Sequence, residues 1–342
     1  MKKWKIVLLA AALAAAVVVG AVGGRWYGAN RKPNFSGSAD LYIRPGCTVE
    51  EVLGMIPDSI VLRKGNLRSV VRKNLADSML KPGHYVVEKG KPSIYVARML
   101  KGGWQTPVNL VLSGTMRQKG QIARKIGNQL MIDSAQVREA LDDSVLLSGY
   151  GFTPKDVFSL FMPDTYQMYW TAEMTDVLDR QKAAWDAFWT PENEAKAKAQ
   201  GLTPKEVSIL ASIVKAESNH VPEYPSIAGV YLNRLHNGMR LQADPTVAFI
   251  HGYSINRVLL RHLQVDSPYN TYLHDGLPPG PICVPSKECL EAVLNPDRHG
   301  YLFFCASPEM DGTHRFAVTL SEHNRNAREF QRALDARQAG KS

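Results

Sequence analysis

A run of apolar residues from Ile6 to Val22, preceded by Lys2, Lys3 and Lys5, restricts this chain more than any other stretch of it. A bilayer offers no water to the main chain, so a crossing segment must satisfy its own N–H and C=O groups as a helix. At about 1.5 Å per residue the run just reaches the length that spans the hydrocarbon core. It therefore reads as a single N-terminal membrane anchor. A cleaved signal peptide is the alternative, because Ala21, Val22 and Gly23 place small residues around a candidate cut, although the run is long for one. No cysteine follows closely enough to make a lipoprotein. Arg25, Arg31 and Lys32 weaken the charge asymmetry across the run, yet either reading exports the rest of the chain.

With 342 residues the chain has room for the anchor and two domains, and its composition is that of a folded protein. Lys and Arg outnumber Asp and Glu by 41 to 32, a formal charge of +9 that suits anionic lipid, nucleic acid or an acidic polymer. No basic run is interleaved with aromatics, so nucleic acid is not the expected partner. Four cysteines, Cys47, Cys283, Cys289 and Cys305, fall in the exported part, and a single disulfide within the C-terminal three is open. The nine histidines are scattered and neither CxxC nor HExxH occurs, so no metal site is expected.

Residues 25–38 are polar, with Pro33 and several Gly and Ser, and read as a tether. Folded structure is expected from Asp40: a strand at Leu41–Ile43, a turn at Pro45 and Gly46, and a helix through Met55 opened by the capping box Thr48/Glu51. Lys81, Pro82 and Gly83 turn into a strand at Tyr85–Val87, and Ser93 starts a helix closed by Gly102 and Gly103. Val108–Leu112 reads as a strand, followed by a helix capped at Thr115 with Gln118 and running to Leu130. Phe161–Tyr166 reads as a loop. Residues 175–199 have helical spacing, with Trp185, Phe188 and Trp189 facing a core. Tyr301–Cys305 and His314–Val318 read as paired strands with Asp311 and Gly312 near the turn.

The most informative helix opens with Thr203, Pro204, Lys205 and Glu206, where threonine caps, proline suits the first helical position and the acid completes a capping box. At 3.6 residues per turn, Leu210, Ile213 and Val214 share a stripe, and Glu217 returns to it while Lys215 points toward water. A carboxyl on a buried face is desolvated, which raises its pKa toward the range a general acid needs. Glu217 is thus the catalytic candidate; a helix-end residue paired with a cation such as Arg234 is the plain alternative. A second helix, from Pro225 to His236, closes at Asn237 and Gly238. Asn233 on it, with Gln242, Asp244 and Thr246 in the loop beyond, carries paired donors and acceptors suited to a polar ligand, and each has a structural role as the alternative. Pro278, Pro279, Gly280 and Pro281 make a stiff loop, and Tyr269, Asn270 and Tyr272 before it are candidate contacts to the same ligand.

LASIVKAES, YLNRLHNGMRLQADPTV and SPYNTYLHDGLPPGPI resemble the core of the endolytic murein transglycosylases, the MltG or YceG-like family, over roughly Val108 to Phe330. The resemblance places the family's catalytic glutamate at Glu217. It departs at Lys215 and at Ser113, where the family commonly has acids. FMPDTY, residues 161–166, resembles another family block and adds Tyr166 as a sugar-stacking candidate; a buried tyrosine is the alternative. The implied fold is α+β: a cytoplasmic stub and transmembrane helix over residues 1–24, the tether, a small LysM-like α/β unit over 39–105, and a larger mixed helix-and-strand catalytic domain over 106–338.

What the resemblance implies is a single-pass protein of the inner or plasma membrane. Its catalytic domain would be extracytoplasmic and would cleave peptidoglycan glycan strands without a cofactor, in partnership with peptidoglycan synthases. A hydrolytic muramidase using Glu217 and Asp244, or a non-catalytic wall-binding scaffold, are the rivals.

Overall fold

The computed structural model describes residues 2–339. It divides into two compact units, one made of residues up to 109 with 129–131 and 167–172, the other of the remaining residues.

In the first unit, helix α1 (Lys2–Asn30) carries the apolar run, with Ile6, Leu9, Leu13 and Val19 among its exposed side chains. Leaving so much apolar surface bare in water is unfavourable, and the length and composition of α1 fit a single membrane crossing. The expected tether is not one. Helix α1 continues through Asn30, and Arg63 donates to the carbonyls of Gly28, Lys32 and Pro33 at 3.1, 3.0 and 3.3 Å. Asn34 and Phe35 are buried. Composition marked the segment as polar, but a single arginine from elsewhere in the chain satisfies its terminal carbonyls and fixes it.

Strands β1 (Ala39–Ile43) and β2 (Gly83–Val87) pair antiparallel, with Leu41 opposite Tyr85. Their alternation buries Leu41, Ile43, Tyr85 and Val87 against helices α2 (Val49–Met55), α3 (Lys64–Asn74) and α4 (Ser93–Gly102). The Thr48/Glu51 capping box forms, and Gly103 takes the left-handed conformation, φ 68°, that ends α4. Helix α3 was not foreseen.

Strand β3 (Val108–Leu112) pairs with β4 (Asp164–Met168), so the expected loop at 161–166 is partly strand. Between them lie α5 (Lys119–Gly127), α6 (Ser134–Ala140), α7 (Ser144–Ser148) and α8 (Val157–Leu160). Helix α5 starts later than expected, because Gln121 accepts from the Gln118 main chain at 3.2 Å and Thr115 takes no part. The helical stretch at 175–199 is two helices, α9 (Met174–Phe188) and α10 (Pro191–Ala199), divided where Thr190 caps and Pro191 begins a new helix. Trp185, Phe188 and Trp189 are core, as their spacing implied.

Helix α11 (Pro204–Glu217) is the axis of the second unit. Every residue from Val207 to Val214 is buried, not just one stripe, because the small Ser208, Ala211 and Ser212 admit neighbours on the remaining faces. Those neighbours include α10, α12 (Tyr224–His236), α13 (Asp244–Ile250) and α14 (Lys287–Leu294). Strands β5 (Phe303–Ala306) and β6 (His314–Ala317) pair antiparallel, Phe304 opposite Phe316, and α15 (Leu320–Ala339) packs on them. Mixed helices and strands bear out the α+β reading in its broad form.

All four cysteines are free, so no disulfide closes the C-terminal cluster. Cys283 Sγ donates instead to Ser212 O at 3.3 Å, and Ser286 Oγ to Cys289 Sγ at 3.3 Å.

Candidate active site

Glu217 is placed by both ends of α11. Thr203 accepts from Glu206 N while the Glu206 carboxylate accepts from Thr203 N, and this box with Pro204 fixes where the helix starts. At the other end Glu217 is the last helical residue, and Ser218 beyond it is extended. The carboxyl therefore projects from a rigid helix terminus into a cleft of about 410 Å³.

Two turns into α12, Tyr231 is buried and its phenol donates to Glu217 Oε1. Three residues on, Arg234 shares that face. Its Nε donates to Leu302 O at 2.6 Å and its Nη1 to Leu241 O at 2.9 Å and Gln242 Oε1 at 3.3 Å. The guanidinium so clamps the loop after α12, and it sits 5.1 Å from the Phe303 ring centre. Gln242 adopts φ 52°, a left-handed conformation unusual for a side-chain-bearing residue, and its main-chain N–H bonds Thr271 O at 3.0 Å. Asp244 begins α13 and accepts from the Tyr272 phenol at 2.6 Å. Opposite, Phe303, Phe304, Ala306 and His314 of the β5–β6 hairpin form the other wall.

Burial raises the Glu217 carboxyl to about 7, with the bond from Tyr231 and the charge of Arg234 opposing and the charge of Asp244 reinforcing it. Tyr231 is pushed well above the phenol range, chiefly by burial and then by Glu217, so it stays a donor. Tyr272 is raised for the same first reason, followed by Asp244. Glu217 can therefore hold a proton near neutral pH and release it to a group in the cleft.

The cleft does not stop at Glu217. A second cavity of about 590 Å³ is lined by Glu217, Ala306 and His314 again, and then by Asn219, His220, Asp311 and Phe330. The carboxyl thus borders two adjoining cavities, which share Glu217, Ala306 and His314. His314, which lines both parts, is held by Glu223, at 2.8 Å from Nδ1 to Oε2.

Of the residues singled out in the sequence, Gln242, Asp244 and Tyr272 line the cleft with Glu217. Thr246 and Asn270 do not reach it. Both are fully buried, Thr246 bonding Ala243 O and Thr271, and Asn270 bonding Leu263 O and Val265 O, so their polar atoms hold loops together. Asn233 spends its amide on His299 O and Tyr301 O at 2.9 and 3.0 Å. Tyr166 is buried, bonded to Met162 O and faced by Arg180, away from the cleft lining. Tyr269 lines a different cavity. Lys215 does not point into open water but donates to Tyr224 Oη at 3.1 Å, because α14 covers that side of α11.

Sequence reasoning missed Tyr231 and His314 as site residues. For Tyr231 the available signal was its i, i+3 spacing to Arg234; for His314 there was none. Among the described residues, no three His, Cys, Asp or Glu side chains gather as a metal set would.

The chain matches the model of the YceG-like family over residues 41–329. It is similar to the endolytic murein transglycosylase of Bacillus subtilis, 26% identical over 302 residues that cover 84% of this chain and 83% of the relative. The endolytic murein transglycosylase of Streptococcus pneumoniae is 26% identical over 317 residues, 84% of this chain and 57% of the pneumococcal protein. A YceG-like protein of Listeria monocytogenes, known from its crystal structure, aligns with a TM-score of 0.56 at 26% identity, over 84% of this chain and 98% of that one.

Proposed function

The chain belongs to the YceG-like family, and on that premise we propose that it is a lytic transglycosylase cutting inside peptidoglycan glycan strands. Relatives named endolytic murein transglycosylase support the general activity. The observation that carries the reading is Glu217, a carboxyl protonated up to about 7, set where two adjoining cavities share it as a lining residue.

Hydrolytic glycosidases use one carboxylate as acid and another as base or nucleophile. A lytic transglycosylase takes its nucleophile from the substrate. The C6 hydroxyl of N-acetylmuramic acid attacks its own C1 as the bond from C1 to the bridging oxygen of N-acetylglucosamine breaks. Glu217 gives its proton to that departing oxygen and receives the one lost by the C6 hydroxyl. No water enters, and the product ends in 1,6-anhydro-N-acetylmuramic acid. Tyr231 steers the Glu217 carboxyl, and Gln242, Asp244 and Tyr272 are the substrate contacts the reading assigns. Asn233, Thr246 and Asn270 support the loops that present them.

Internal cleavage is supported by the relatives named endolytic and by the two adjoining cavities that Glu217 borders, which give room for sugars beyond the cut bond. The strand–helix–helix–strand order of the first unit supports a LysM-like glycan-holding role. Helix α1 would hold the enzyme to the membrane with the rest extracytoplasmic, near the synthases whose nascent strands it terminates.

Mass analysis of digested, purified glycan strands tests the reading. Products one water lighter than hydrolytic ends, absent with Glu217→Gln, are expected. Reducing ends lost selectively with Asp244→Asn would assign the muramidase class instead.

A further inference from the structure

A third cavity, of about 530 Å³, lies in the catalytic unit and plays no part in the mechanism above. Its wall is aromatic: Phe249 lies 4.7 Å from Tyr269 and 6.2 Å from Tyr253, ring centre to ring centre. Its rim is cationic. Arg117, Lys119, Arg138 and Lys155 line it, and among the described residues no carboxylate does. Asp142 pairs with Lys119 and, at 2.8 Å, with Arg138, which balances one of those charges. Asp156, behind the rim, is held by Lys205 at 2.7 Å. Arg117 and Lys155 form no ion pair among the described residues. The Arg117 guanidinium lies 4.8 Å from the Tyr253 ring centre, and its buried Nε has no hydrogen-bond partner among the described residues. A buried donor without an acceptor is costly, so such a group marks a place where a ligand's acceptor fits.

The cavity is built rather than incidental. Tyr253 holds a left-handed main chain, φ 58°, and its phenol bonds Ile282 O at 2.7 Å. Gln118 donates to Gly252 O at 2.8 Å, tying the start of α5 to the end of α13. At Gly280 a Cβ would stand 2.1 Å from Lys155 O and 2.9 Å from the Tyr269 hydroxyl, so only glycine lets the proline-rich loop close this wall.

Two elements join this cavity to the Glu217 cleft. Helix α13 begins at Asp244 in the cleft and reaches Phe249 here, about 8 Å along at 1.5 Å per residue. The segment 269–272 has Tyr269 at the cavity and Tyr272 at the cleft. A peptide of a few residues, at about 3.3 Å each when extended, covers that reach.

We propose that this cavity binds the carboxylate-bearing peptide stem attached to the sugar that lies at Glu217. The inference rests on the transglycosylase reading. Arg117 and Lys155 pair with the stem carboxylates, and the aromatic wall covers its apolar side chains.

The test uses the full-length protein in detergent with two purified substrates: glycan strands carrying stems, and the same strands stripped by an amidase, which leaves a carboxylate on the sugar itself. In Arg117→Gln/Lys155→Gln, KM for stem-bearing strands should rise tenfold or more, with kcat within twofold and KM for stripped strands unchanged. Free stem peptide should bind Glu217→Gln protein in calorimetry and fail to bind when the two rim substitutions are added; this arm does not depend on turnover, so it separates the stem subsite from the catalytic reading. Equal weakening for both substrates would overturn the proposal in favour of a general glycan or sugar-carboxylate contact. Unchanged kinetics, or no binding of the free stem, would overturn it outright.

Discussion

Replacing Tyr231 with phenylalanine isolates one contact at the proposed catalytic carboxyl. Its ring packs edge-on against Phe304 with centres 5.8 Å apart, a contact that phenylalanine keeps. Only the hydrogen bond to Glu217 is lost. A bond to a charged acceptor contributes about 1.5 to 3 kcal/mol, and part of it survives when the acceptor is protonated. If roughly 1.4 kcal/mol favours the ionised form, its removal raises the Glu217 pKa by about one pH unit. The alkaline limb of kcat/KM against pH reports the free enzyme's acid, so it should fall near 7 in the wild type and near 8 in Tyr231→Phe. The assay is the initial rate of anhydro-end release from purified strands across pH 5 to 9, with folding followed by circular dichroism. Below both limbs the variant should lose only a few-fold, the share due to a less well-steered carboxyl. A limb that stays in place or moves to lower pH would falsify the view that this phenol stabilises the ionised carboxyl.

Glu217→Gln should reduce turnover by 10² to 10⁴-fold or more, since one residue serves both proton transfers. The same substitution should make the protein less sensitive to alkaline pH. A carboxyl raised from 4.5 to about 7 by folding costs nothing below 4.5 and disfavours the folded state increasingly up to 7, so the wild type should lose about 3 kcal/mol relative to the variant between pH 4 and pH 8 in denaturant melts. Lys215→Ala should leave kcat/KM within about twofold but lower stability by roughly 1 kcal/mol, because it removes the bond to the buried Tyr224; a large loss of rate with stability intact would place Lys215 in the chemistry.

What the sequence decided by itself is what depends on neighbours within one turn. The capping boxes at Thr48 and Thr203 and the left-handed glycines at Gly103 and Gly238 are interactions of a residue with its own backbone. Glu217 was legible for the same reason, as a carboxyl returning to an apolar helical face, and the family resemblance located it independently. Tertiary structure decided which polar residues face the cleft. Tyr231 meets Glu217 from 14 positions away, and His314 meets Glu223 from 91. No local pattern encodes such pairings, since they exist only once α11, α12 and the β5–β6 hairpin have packed. The same holds for Thr246 and Asn270, whose side chains suit a sugar yet are spent on loop carbonyls, and for residues 25–38, whose polar composition gave no sign that Arg63 would fix them. A residue type states which bonds a side chain can make; only the packed chain determines whether a loop or a ligand receives them.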